Sequence, residues 1–260
     1  MDLGSERVPV GRIAWHSQER RSYFEYDEAV LARRLPLSPF NLPLKPGAQP
    51  APNAPFEGLH GLFNDSLPDG WGRKLLDRRV QKMGYDYTTL SPMDRLSFVG
   101  GIGMGGLRFS PIGKLEDVDA GEVNLDWLAE QAELVQLGLP GVDVDQLQAA
   151  QGGSGGVRPK VVIGLNPTTG LLVIDRNTRL PDGFEPWIVK FRSDRDHAEI
   201  GNEEYAYSLM AVAAGVEMAP TRLLQGRAGT SYFAAKRFDR TAAGPLHMHT
   251  LSGLLHADHR

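Results

Sequence analysis

Lys190 stands in the run Trp187-Ile188-Val189-Lys190-Phe191, where an ammonium among apolar neighbours is costly to bury without a carboxylate partner. The segment that follows offers Glu203 and Glu204. Upstream, Gly152-Gly153-Ser154-Gly155-Gly156 exposes backbone N–H groups with no Cβ in the way, and Arg158 and Lys160 bring positive charge to the same place. Such a combination suits a polyphosphate. It is not a Walker A loop, because no Gly-Lys-Ser/Thr closes it. Each part alone also has a plain reading. A glycine-serine run makes a flexible linker, a strand lysine at a sheet edge discourages aggregation, and glutamates line solvated helix faces.

The order is more telling than the parts. Glycine loop, strand lysine and helix glutamate follow one another as in the N-terminal lobe of a protein kinase, where the Lys–Glu pair positions nucleotide phosphates. The elements needed to hold them are legible. Lys160-Val161-Val162-Ile163-Gly164-Leu165 has strand composition, Asn166-Pro167-Thr168-Thr169-Gly170 turns the chain, and Leu171-Leu172-Val173-Ile174 returns it as a hairpin. Residues 187–191 and 231–238 read as further strands, and 199–214 as a helix ended by Gly215. Earlier in the chain, residues 8–15 and 21–26 have strand composition, and 27–32 suggest a helical turn. Residues 36–55 hold seven prolines and read as an ordered loop or linker. Helical patterns follow at 70–83, at 90–96 with Ser91 as N-cap, at 124–138 and at 143–150.

Composition narrows the classes. The 260 residues, with 41% hydrophobic and 23% charged side chains, exclude long disorder and collagen-like repeats. The 28 Lys+Arg against 32 Asp+Glu leave a net charge of -4, which does not suit a chain that coats DNA by itself. No cysteine is present, so disulfides, thiolate metal sites and a cysteine nucleophile all fall away. No run of about 18 apolar residues is found, and the first residues lack the order of a signal peptide. A cytoplasmic protein with no membrane association is expected. His247, His249, His256 and His259 match no closed structural-zinc spacing. Gly100 to Gly106 reads as a tight turn packed on a neighbouring strand, and the basic face of Arg73, Lys74, Arg78 and Arg79 as solvated.

Taken together, the motifs resemble the HipA-like serine/threonine kinase toxins of type II toxin–antitoxin systems, over nearly the whole chain. Phe63-Asn64-Asp65-Ser66-Leu67-Pro68-Asp69-Gly70-Trp71-Gly72 is similar to that family's N-terminal signature, and Gly153-Ser154-Gly155-Gly156-Val157-Arg158-Pro159-Lys160 to its nucleotide loop. Trp187 to Phe191 resembles the ATP-lysine strand, Asn202-Glu203-Glu204-Tyr205 its helix, and Lys236-Arg237-Phe238-Asp239-Arg240 the hinge. His247 to Asp258 is similar to the start of the large lobe. The resemblance implies an α+β fold: a HipA N-terminal subdomain at 1–150 packed on a kinase-like small lobe at 151–240, with 241–260 beginning a helical large lobe.

The same resemblance implies roles. Ser154, Gly155, Gly156 and Val157 would approach the phosphates of ATP, with Lys160 nearby. Lys190 would contact the α/β-phosphates, oriented by Glu204, and Lys236, Arg237 and Phe238 would hold the adenine through backbone atoms. Ser154 is the loop's candidate for autophosphorylation. The family moves the γ-phosphoryl of ATP to a protein serine with Mg²⁺, on a translation target such as an aminoacyl-tRNA synthetase. Its partner is a helix-turn-helix antitoxin that bridges it to operator DNA. The family's catalytic and Mg²⁺-binding aspartates lie beyond the His247–Asp258 motif, and this sequence ends at Arg260 before either. The expectation is therefore a truncated kinase with neither catalytic nor metal residues of its own, inactive alone. The alternative is a non-catalytic subunit that engages an antitoxin or a separately encoded kinase half.

Overall fold

The computed structural model describes residues 1–260 other than 5, 69, 102, 112–122, 152–154, 176–179, 228 and 259–260. Ser154, with Gly152 and Gly153, therefore lies outside the described residues. The chain divides into two compact units, Met1–Leu67 with Thr88–Leu115 and Asp239–Arg260, and Pro68–Tyr87 with Glu116–Phe238. Among the described residues no helix is long and apolar enough to cross a membrane.

The second unit is built on a five-stranded antiparallel sheet in the order Leu172–Ile174, Lys160–Leu165, Glu185–Lys190, Ser231–Lys236, Thr221–Gln225. Lys160–Leu165 is buried along its whole length, as its unbroken Val-Val-Ile run predicts for a central strand. One face carries Val161, Ile163, Trp187, Val189 and Ala234, which join Trp71, Leu75, Leu128 and Leu147 from the helices Gly70–Lys82, Leu125–Gln136 and Val144–Gln151 in one apolar core. Asn124 caps the second of these helices, accepting from the N–H groups of Asp126 and Trp127. Residues 70–82 and 125–151 thus pack with the sheet, whereas the sequence reading set a boundary at 150. The cause is Trp71, wholly buried and part of the sheet's core. The strand Thr221–Gln225 was not anticipated, since Thr-Arg-Leu-Leu-Gln lacks the alternation that marks a half-buried strand.

The first unit has its own core around Phe24, Tyr26, Leu42, Leu59, Leu62, Phe63 and Leu96. The hairpin Gly11–His16 with Arg21–Tyr26 takes Gln49–Pro50 as a third strand, a short piece of order inside the proline-rich stretch. Pro92–Val99 is a helix with Pro at its first position and a full capping box between Ser91 and Asp94. Asp65 ties in the closing segment, accepting from the Thr250 N–H and hydroxyl (both 2.7 Å) and pairing with His249 Nδ1 at 2.6 Å. His249 Nε2 meets the Ser38 hydroxyl at 3.0 Å and His247 Nε2 the Leu37 carbonyl at 2.9 Å. The Gly100–Gly106 turn is fastened as a structural element. Gly105 N–H donates to Asp239 at 2.9 Å, Arg240 donates to the carbonyls of Gly103 and Gly105, and the Asp2 N–H donates to the Gly106 carbonyl.

Two outcomes follow. Trp71→Ala should cost about 3–5 kcal/mol of stability, read as an equally reduced denaturant midpoint in tryptophan fluorescence and circular dichroism; a change under 1 kcal/mol would remove Trp71 from the core's centre. Burial, with His256 close by, lowers the His60 pKa from 6.5 to about 4, and burial also lowers that of His247. The folded state therefore favours neutral rings, so unfolding takes up protons and stability falls as pH drops from 6.5 towards 4. The loss from His60 is about 2–3 kcal/mol, and His60→Gln should flatten the decline of melting temperature between pH 7 and pH 5. An identical decline in the variant would contradict this.

Candidate functional site

Alternation along the sheet sets which side chains meet. Lys160 and Lys190 are directly opposed across neighbouring antiparallel strands, so their side chains leave the same face. Val189 pairs with Ala234, which brings Phe233 beside Lys190 on that face. The Lys190 ammonium stands 5.3 Å from the centre of the Phe233 ring and donates to Glu204 Oε1 at 3.1 Å. Like charges directly opposite each other repel; here each has its own partner, since Lys160 Nζ donates to the Gly155 carbonyl at 2.7 Å. Glu204 rides on the helix Ile200–Ala213, whose Gly201 has the backbone of Ser231 and Phe233 where a Cβ would stand. That close approach brings the helix's first turn onto the sheet. Of the two glutamates offered by the sequence, Glu204 turns inward, while Glu203 pairs with His197 at 3.1 Å.

The glycine turn is held from two sides. Gly156 has φ +103°, a conformation that suits glycine, and a Cβ there would lie 2.7 Å from Lys160 Nζ. Its carbonyl accepts from the Trp71 N–H at 3.2 Å, and the Trp71 indole N–H donates to the Lys160 carbonyl, also at 3.2 Å. Sequence reasoning assigned Trp71 to a separate subdomain and missed this support. On the other side Arg158 reaches Asp196 Oδ1 at 2.8 Å and Glu204 Oε1 at 3.5 Å. Burial pushes the Asp196 carboxyl up, but the Ser193 N–H and hydroxyl and the Arg158 charge outweigh it and hold it below its ordinary value. Asp196 went unnoticed in the sequence; the Ser193-Asp194-Arg195-Asp196 spacing, which allows this local bond pattern, was the available signal. Val157 is 80% exposed at the turn's tip.

The segment Lys236-Arg237-Phe238 sits at the end of the fourth strand in the sheet order. Lys236 pairs with Glu185 at 2.7 Å, and that bond, against a smaller desolvation, lowers the Glu185 pKa. Arg237 is buried against Asp175 at 3.3 Å. Backbone N–H groups of Lys236 and Arg237 donate to the carbonyls of Pro220 and Pro186, so neither is open to a ligand, whereas Phe238 is 62% exposed. Asp239 belongs to the first unit and holds the Gly105 N–H there. Among the described residues no group of three or more His, Asp or Glu side chains could hold a metal ion.

Residues 2–110 match the family model described as the HipA N-terminal domain, and residues 152–260 that described as the HipA-like C-terminal domain. The chain belongs to the HipA-like family. Among solved structures it is similar to a chain of the Shewanella oneidensis MR-1 toxin–antitoxin complex of HipA, HipB and operator DNA, with TM-score 0.53 and 18% identity. The match covers 89% of this chain and 49% of that one, so the chain spans about half the length of this HipA relative and shares its fold. No curated protein matches it in sequence.

The cradle makes a direct prediction about anions. Gly156→Ala adds backbone strain of about 1–3 kcal/mol and pushes Lys160 from the Gly155 carbonyl. Calorimetric titration with inorganic triphosphate should show about tenfold weaker binding than in the unchanged chain, the equivalent of 1.4 kcal/mol. Equal affinities would mean that the turn does not shape the site.

Proposed function

We propose that this chain supplies the nucleotide-binding lobe of a HipA-type serine/threonine kinase toxin. The observation that carries the reading is the Lys190–Glu204 pair at 3.1 Å, beside a glycine turn that a second lysine braces. In the proposed arrangement the backbone of Gly155, Gly156 and Val157 and the ammonium of Lys160 receive the outer phosphates of ATP. Lys190 takes the α/β-phosphates and Glu204 orients it, while Phe233 beneath keeps its stem from swinging away. Phe238 and the carbonyls of Lys236 and Arg237 would flank the base, because the N–H groups of those two residues are already engaged. ATP would supply the phosphoryl group, and Ser154 is the loop's candidate for autophosphorylation by resemblance to the family. Mg²⁺ would arrive with the nucleotide rather than on Glu204 or Asp196, whose carboxylates are both paired with cations.

The partnership follows the Shewanella complex, which holds HipA, HipB and operator DNA together. By that likeness the partner is a helix-turn-helix antitoxin that carries the toxin to DNA, consistent with a net charge of -4 that gives the chain no general pull on nucleic acid. The family's target, a translation component such as an aminoacyl-tRNA synthetase, belongs to the same proposal.

Titration with Mg-ATP is the test. Binding is expected no tighter than about micromolar, near -8 kcal/mol, and Lys190→Ala should weaken it about tenfold while Lys74→Ala leaves it unchanged. Equal effects of the two substitutions would return Lys190 to a surface lysine and end the proposal.

A further inference from the structure

We infer that Arg158 is a positioning residue that latches the glycine turn to the helix carrying Glu204. This rests on the nucleotide reading above for its consequence, though not for its geometry. Arg158 lies just after Gly155, Gly156 and Val157, and its guanidinium spans two acidic groups from different segments, Asp196 at 2.8 Å and Glu204 at 3.5 Å. Asp196 is itself fixed: its second oxygen accepts the Ser193 N–H and hydroxyl, both at 2.8 Å, and its side chain is 8% exposed. A planar fork with five donors suits such a bridge, where a lysine point charge would serve only one carboxylate well.

The arrangement has a chemical consequence. Glu204 Oε1 accepts from both Lys190 and Arg158, so the carboxylate that orients the phosphate lysine also reports where the turn is. Trp71 fixes the turn's carbonyl side through Gly156 and Lys160, and leaves the following side chain to set its tilt. Arg158 sets that tilt. It stays on Asp196 when phosphate arrives, and the turn's N–H groups are thereby aimed before the ligand binds. Pre-aiming of this kind raises affinity by removing an ordering cost.

Hydrogen exchange on the nucleotide-free chain tests the latch without reference to ATP. Arg158→Ala and Asp196→Asn should each speed exchange of the amides at 155–158 by about two- to fivefold, the range for a partly exposed ion pair. The double variant should be no faster than either single one, and Arg158→Lys should recover part of the protection. In Mg-ATP titrations Arg158→Ala should weaken binding by a similar factor with the melting temperature unchanged. Unaltered exchange at 155–158, or additive effects in the double variant, would overturn the latch. If the unchanged chain binds no ATP but the exchange pattern holds, the nucleotide reading fails and the latch stands.

Discussion

Two ammonium groups leave the same face of the sheet from directly opposed positions, and the folded chain gives each a partner of its own. Lys160 donates to a backbone carbonyl in its own glycine turn, and Lys190 meets a carboxylate from a helix and the face of an aromatic ring. The Lys190–Glu204 contact is a direct ion pair, whereas Lys160 meets a neutral carbonyl. In the proposed function a multiply charged anion would sit against both ammonium groups.

The supports of that site come from parts of the chain far apart in sequence. Trp71 lies nearly ninety residues before Lys160 and yet meets both Gly156 and Lys160 through its main chain and its ring. The family's N-terminal signature is thus split in its physical duties. Phe63 packs in one core and Asp65 anchors the closing segment, while Gly70 and Trp71 serve the glycine turn in the other unit. Substitutions within that ten-residue motif should therefore not behave alike, since some unfold a core and others loosen the site.

Local pattern carried much of this into view. The strand Lys160–Leu165, the helix Ile200–Ala213 and the Ser91 cap follow directly from apolar runs, a terminal glycine and capping chemistry. The choice of Glu204 over Glu203 was also legible, through the motif resemblance rather than through periodicity. What stayed hidden depends on long-range contact. Nothing local marks Thr221–Gln225 as an edge strand, Trp71 as a brace of the turn, or Asp196 as the partner of Arg158. The compact units interleave segments from both sides of residue 150, because a helix joins whichever sheet its apolar stripe can cover.

The proposed nucleotide lobe requires both lysines to face a bound triphosphate, and an ATP acyl-phosphate probe reads that chemistry directly. The probe places a reactive acyl group at the phosphate end and transfers it to the nearest lysine amine, so peptide mass spectrometry reports which lysines line the site. Acylation concentrated on Lys160 and Lys190, and suppressed by excess ATP, is the result the proposed function predicts. Acylation spread over exposed lysines such as Lys74 and Lys82, with no protection by ATP, would contradict it.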